Sequence, residues 1–296
     1  MTHKRALLYI HIAAVLFGLT GIFGELIQSS AMFITAGRAT FATLILFIII
    51  RAQGRRINEG LRHNDWQLLL IAAVMLAIHW ATFFIAVKVG GIAIATLGFA
   101  SFPAFITLCE WLVLREKVSR TEWLILALVS FGLLLVTPSF DFADQSTVGL
   151  AWALVSGLTF ALFTIINRRA AGHIPALQVA CWENGFVALL CWPFAISVIG
   201  DPGAIDWFWT ALLGVFCTAL SHYLLVSSLS TLNARSAGIV IALEPVYAIA
   251  FAAILFAQYP SVRALIGGCI MIAAIVWSGL RKAEPDPASA STPSVT

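Results

Sequence analysis

A helix crosses the hydrocarbon core of a membrane in about 20 apolar residues, and this chain supplies such runs almost end to end. Ten can be read, at 6–27, 32–50, 66–87, 91–114, 121–138, 148–167, 175–199, 207–227, 235–257 and 262–280. Sixty-one per cent of residues are hydrophobic and 10% charged, with a mean hydropathy of +0.97, which excludes an ordinary soluble domain. Lipid offers no hydrogen bonds, so each run must satisfy its own backbone and is read as a helix. The expected fold class is an all-α polytopic membrane protein with ten transmembrane helices. The first run is long for a cleaved signal and is read as a permanent helix.

Charge sets the orientation. Arg5, Arg51, Arg62, Arg120, Arg168 and Arg235 fall at alternate ends of the runs, with most other Lys and Arg residues beside them. That side is read as cytoplasmic and both termini as inside. Asp141, Asp144, Asp201 and Asp206 lie at the opposite ends. The net charge of +3 reflects this asymmetry and does not point to nucleic acid. The five cysteines all lie inside apolar runs, with neither a disulfide framework nor metal-ligand spacing. The stretch 283–296 is small, polar and Pro-rich, and is expected to be a disordered cytoplasmic tail.

The chain reads as two copies of one plan. Gly18-Leu19-Thr20 in the first run returns as Gly157-Leu158-Thr159 in the sixth. His79-Trp80 in the third returns as His222-Tyr223 in the eighth, and Pro103 in the fourth returns as Pro245 in the ninth. The copies are 1–145 and 146–282. Five runs per copy is an odd number, so the second copy must enter from the other side, giving two inverted five-helix repeats. Paired proline-broken segments in the two halves point to a transport site at the repeat interface, served by alternating access.

On these residues the sequence resembles the EamA-type branch of the drug/metabolite transporter superfamily. The resemblance covers essentially the whole chain. It is clearest from Gly90 to Leu114-Arg115-Glu116-Lys117-Val118 and Gly132-Leu133-Leu134-Leu135-Val136. The second copy has Gln258 where an acid is expected, a change that a structural turn tolerates. Within the family the chain looks most like YddG-type aromatic amino-acid exporters. That likeness implies an inner-membrane exporter of neutral, especially aromatic, amino acids, with the substrate held between the third, fourth, eighth and ninth segments.

Several residues are candidates for substrate binding. His79 has Phe83 one turn away, and an ionisable group at membrane depth usually faces the bundle interior. The alternative is a buried imidazole bonded to a helix carbonyl. His222, with Tyr223 beside it, is the repeat-related candidate. Glu244 stands at the second break, as proton carrier, counter-ion to an ammonium, or neutral partner of the broken backbone. Phe99, Phe102, Phe163 and Tyr247 form an aromatic set suited to flat substrates, although each ring alone fits packing equally well. Gly98, Pro103 and Pro245 are candidate hinges. Arg38 and Glu183 sit in the second run of each half at opposite depths, so no direct pair is expected. Arg38 is read as structural, meeting Glu25 or snorkelling.

No ATP-binding loop, cofactor motif or metal motif is present. The functional reading is a monomeric secondary transporter with lipid and a small amino acid as its partners. Proton coupling through His79 or Glu244 and facilitated diffusion both remain open. A broad drug/metabolite permease is the alternative within transport. A membrane-embedded enzyme is disfavoured, since no paired intramembrane Asp, His-Glu-x-x-His or Ser–His arrangement exists.

Overall fold

The structure, a computed structural model, describes residues 1–112, 115, 119–136, 141, 143–170, 173–232 and 234–280. The tail 283–296 and residues 116–118 of the Glu-containing turn lie outside them. All regular elements among the described residues are helical. They are α1 (His3–Leu26), α2 (Ala31–Ala52), α3 (Asp65–Phe99), α4 (Phe102–Leu112), α5 (Arg120–Val136), α6 (Gln145–Ala170), α7 (Ala176–Ala195), α8 (Ala204–Gly214), α9 (Ser221–Leu229), α10 (Ala234–Ile241), α11 (Glu244–Phe256) and α12 (Val262–Leu280), with a π-helical turn at Val215–Leu220 between α8 and α9. Gln145, given to the first copy by the sequence reading, is the first residue of α6. Seven helical stretches among the described residues are long and apolar enough to cross a membrane.

The longest of these, α3, covers two of the ten apolar runs. It is a hairpin rather than one rod. Gly91 has φ 80° and ψ 167°, a conformation outside the helical region that glycine adopts without a Cβ clash. Twenty residues of straight helix would separate His79 from Phe99 by about 30 Å, yet their ring centroids are 5.1 Å apart. The chain therefore turns back at Gly91, and the arms 65–90 and 92–99 lie side by side.

The prolines do not kink continuous helices. The fourth run ends its first arm at Ala100–Ser101 and restarts as α4, and the ninth breaks between α10 and α11. Pro103 and Pro245 are each the second residue of the restarted helix, where no intrahelical N–H is required. Tight turns satisfy the breaks. Ser101 N and Oγ both donate to Gly98 O, at 3.2 and 2.7 Å. In the second break Leu243 N donates to Val240 O at 3.1 Å.

The repeated Gly-Leu-Thr has a packing role. A Cβ on Gly157 would lie 3.1 Å from Phe99 O beside the first break, and one on Gly18 would lie 2.7 Å from Tyr247 Cβ beside the second. Each half thus lays the glycine of its first helix against the break of the other half. Corresponding helices also pack on one another, α2 on α7 and α5 on α12. Gly98 is equally a contact residue, its missing Cβ leaving room for Ala153 and Leu150 of α6.

The charged ends of the bundle are laced by hydrogen bonds. Trp182 Nε1 donates to Ile57 O at 2.8 Å, tying the loop after α2 to α7. Asp206 Oδ1 accepts from Gln28 N at 2.8 Å at the opposite end, joining the α1–α2 turn to α8.

Helices α3 and α6 approach backbone to backbone, and a Cβ on Gly149 would lie 2.5 Å from Gly90 Cα. Gly149→Ala should cost about 1–3 kcal/mol by overpacking, seen as a lower melting temperature in detergent. Gly200→Ala, where nothing lies within 4 Å of the added carbon, should leave it unchanged.

Candidate substrate cavity

A cavity lies at mid-depth, walled by both halves. Its lining comes from α1 (Phe17, Thr20), α2 (Arg38), α3 (Leu76, His79, Trp80, Phe83, Phe99), α6 (Phe160, Phe163), α9 (Ser221, His222, Leu225) and the start of α11 (Glu244). The space open to the centres of water-sized molecules is about 30 Å³, enough for one or two waters. Larger vestibules flank it. One, of about 450 Å³, includes Arg5, His173 and Tyr223 at the basic end of the bundle. The other, of about 440 Å³, includes Gly90, Ser146 and Tyr259 at the opposite end. Along α6 the order is Ser146, Phe160, Phe163, so the closed cavity lies inward of that second vestibule.

Rings form a continuous wall. Phe83 meets Phe99 at 6.0 Å, Phe99 meets Phe160 at 5.2 Å, Phe160 meets Phe163 at 5.8 Å, and Phe163 meets His222 at 5.6 Å. Most of these contacts are edge-on or tilted, the geometry that aromatic quadrupoles favour. Phe102 stacks behind this wall on Phe99 at 5.0 Å and does not line the cavity. Tyr223 faces the basic vestibule, with Tyr9 at 6.5 Å. Tyr247 packs against Gly18 instead of the cavity. The structure therefore brings together His79, Phe83, Phe99, Phe163, His222 and Glu244, and sets Phe102, Tyr223 and Tyr247 outside the lining.

His79 lines the cavity and also bonds a helix carbonyl. Its Nδ1 lies 2.8 Å from Ser156 Oγ and 3.2 Å from Ser156 O. A carbonyl cannot donate, so Nδ1 is assigned the hydrogen and Nε2 is left as an acceptor. Ser156 Oγ donates in turn to His79 O at 3.1 Å. The ring is thus pinned across the α3–α6 contact while it lines the cavity.

Arg38 corrects the sequence reading. It does not meet Glu25 and does not snorkel. The residue is 1% exposed. Its Nε donates to Thr218 Oγ1 at 2.7 Å and one terminal nitrogen to Cys217 O at 2.9 Å. Both acceptors lie in the π-helical turn, and Thr218 Oγ1 donates onward to Leu213 O at 2.9 Å. The guanidinium carbon sits 4.2 Å from the Trp80 ring centroid and 5.4 Å from that of Phe84, contacts that favour a cation. The other terminal nitrogen, Nη1, has no hydrogen-bond partner among the described residues. Glu244 lines the same cavity, and nothing among the described residues hydrogen-bonds its carboxylate. The cavity therefore holds a guanidinium and a carboxyl group, each with bonding capacity left over.

Glu183 is held by neighbours on two other helices. It is fully buried, with Oε2 2.9 Å from His222 Nε2 and Oε1 accepting from Asn167 Nδ2 at 2.7 Å. Sequence reasoning missed Arg38, Phe160 and Trp80 as cavity residues. An arginine seven residues into an apolar run was the available signal for the first. Phe160 and Trp80 carried none beyond the repeat motifs beside them.

A model of the EamA-like transporter family matches residues 4–137 and again 147–280. The uncharacterized transporter YwfM of Bacillus subtilis is 28% identical over 256 residues, covering 81% of this chain and 82% of its own. Human solute carrier family 35 member G1 is 24% identical over 294 residues, 93% of this chain and 79% of its own. The pseudopaline exporter CntI of Pseudomonas aeruginosa is 20% identical over 240 residues, 81% of this chain and 82% of its own. A solved crystal structure superposes with a TM-score of 0.72 at 19% identity over 93% of this chain and 97% of that one, a likeness of fold. With both halves matched by the same family model, the chain belongs to the EamA-like transporter family, in the drug/metabolite transporter superfamily.

Proposed function

We propose that the chain is a secondary transporter, not an enzyme, that exports neutral and above all aromatic amino acids across the cell membrane. It works by alternating access as a monomer, with ten crossings arranged as two inverted five-helix repeats and both termini cytoplasmic. One observation carries this reading: the free Nη1 of Arg38 and the unbonded carboxylate of Glu244 share one ring-lined cavity. An amino acid presents a carboxylate to the first, an ammonium to the second and a side chain to Phe83, Phe99, Phe160 and Phe163. Groups of opposite sign in one low-dielectric cavity match the two ends of a zwitterion. The export direction is supported by the likeness to a pseudopaline exporter.

The small volume of the cavity fits a closed stage of the cycle. A tryptophan side chain needs more room than one or two waters, so the walls must part to admit it. The two restarted helices are suited to that motion, since each break already interrupts the helical ladder. Pro103 and Pro245 keep the breaks in place. Gly98 lets the arm 92–99 slide against α6 without a side chain between them.

A broad drug/metabolite permease is the second reading, favoured by the same aromatic wall.

Flux into proteoliposomes of tryptophan, phenylalanine, alanine and a cationic dye separates the readings. Tryptophan and phenylalanine should move, alanine more slowly and the dye not at all. Dye flux without amino-acid flux would replace the exporter reading with the permease.

The zwitterion fit has its own check. Tryptamine, which lacks the carboxylate, and indole-3-propionate, which lacks the ammonium, should both compete poorly with tryptophan. Arg38→Gln and Glu244→Gln should each weaken tryptophan binding by about 2 kcal/mol or more, measured by calorimetry in detergent. Equal affinity in both variants would remove these groups from the site.

A further inference from the structure

A second polar cluster lies behind the cavity wall, unused by the zwitterion fit. Glu183 and Asn184 come from α7, His222 from α9 and Asn167 from α6. All four are essentially buried, at 0% exposure for Glu183, Asn184 and Asn167 and 3% for His222. His222 alone also lines the cavity. It therefore bridges the substrate chamber and a blind pocket of side chains with no route of their own to water.

The hydrogen bonding of this cluster can serve two protonation states. Asn184 Nδ2 donates to Ala180 O at 2.7 Å and lies 2.9 Å from His222 Nδ1. An amide nitrogen cannot accept, so Nδ1 is the acceptor and the ring hydrogen sits on Nε2, 2.9 Å from Glu183 Oε2 though off the line of a hydrogen bond. On the other side Asn167 Nδ2 donates to Glu183 Oε1 at 2.7 Å, the pairing a carboxylate requires. Asn167 Oδ1 has no partner among the described residues. A Glu183 that carries its hydrogen on Oε2 keeps Oε1 as an acceptor, so the bond from Asn167 serves both the carboxylate and the acid.

We infer that Glu183, with His222 as its link to the cavity, is a proton-binding site that loads and unloads in each transport cycle and couples amino-acid movement to the proton gradient. A proton from hydronium in the cavity binds His222 Nδ1 as Asn184 Nδ2 releases it, and the Nε2–H bond breaks as its hydrogen forms an O–H bond at Glu183 Oε2, 2.9 Å away. The reverse steps return a proton to water when the cavity has opened to the other side. The other ionisable groups at the cavity are Arg38 from α2, His79 from α3 and Glu244 from α11, while α1 contributes only Phe17 and Thr20. Arg38 is bonded to Thr218, one helical turn before His222. The proton site and the proposed carboxylate anchor therefore share one stretch of backbone, and a shift in one displaces the other.

This coupling presupposes the proposed amino-acid transport, and the test separates the two. Proteoliposomes holding the full chain are assayed with tritiated tryptophan in two modes. Counterflow, at equal pH on both sides, reports transport without coupling. Accumulation driven by a pH gradient alone reports coupling, with about tenfold accumulation per pH unit at one proton per substrate. The wild type should show both. Glu183→Gln, which keeps the shape and a hydrogen-bonding amide, should keep counterflow and lose gradient-driven accumulation. Wild-type counterflow without gradient-driven accumulation would overturn the coupling and leave transport standing. Absence of both would overturn both. Full gradient drive in Glu183→Gln would also overturn the assignment. Should that variant fail to fold, proton release by the wild type on adding tryptophan in weakly buffered detergent gives an independent answer, and no release at any pH from 5 to 9 would overturn the coupling.

Discussion

A peptide carbonyl that has lost its helical donor cannot face lipid, where no water can replace the bond. That constraint organises this molecule. The chain leaves the helical ladder just before Pro103 and Pro245, so both interruptions must be enclosed by protein. The first helix of the opposite half does the enclosing, with Gly157 against the first break and Gly18 against the second. Two breaks enclosed from opposite sides meet near one depth, and the cavity forms where they meet. Phe99 precedes one break and Glu244 follows the other, and both line it.

Polar chemistry is layered around that opening. Arg38 is held by the π-helical turn, whose Thr218 and Cys217 supply the acceptors. Extra turns of this kind often mark functional positions, because they offer acceptors that a regular helix keeps for itself. His79 is fixed by Ser156 across the α3–α6 contact. Each ionisable residue at the cavity other than Glu244 is thus oriented by a neighbour on another helix, and the freedom that remains points inward. The aromatic wall excludes water from most of the remaining surface, which strengthens any charge–charge contact made inside.

Much of the fold was legible in sequence. Apolar length and the alternation of basic residues outlined the runs, and the proline pair marked the breaks. Three of the paired motifs gave the internal repeat, and the family model matching each half agrees with it. The turn at Gly91 was also implied, because two consecutive runs of spanning length need a reversal between them. The lining was less legible. Phe102 and Tyr247 flank the breaks as closely as Phe99 does, yet they pack behind the wall. Which way a ring points depends on the crossing angle of two helices, and the spacing of residues along one helix does not encode that. Arg38 shows the opposite failure. Its position was unusual enough to see, but its partners lie about 180 positions away on another helix, and no local pattern announces them. Glu183 and His222 were each visible alone, and only the packing of α7 on α9 joins them.

The exchange of glycines between the halves bears on how the chain is made. Gly18 emerges early in synthesis, but the backbone that fills its groove, from Glu244 to Ala248, is translated more than two hundred residues later. The first half must therefore wait in the bilayer with the groove of α1 unfilled and with its own break, at Ala100–Ser101, uncovered until α6 arrives. The contacts that enclose both breaks therefore form only once the second half has joined the first in the bilayer.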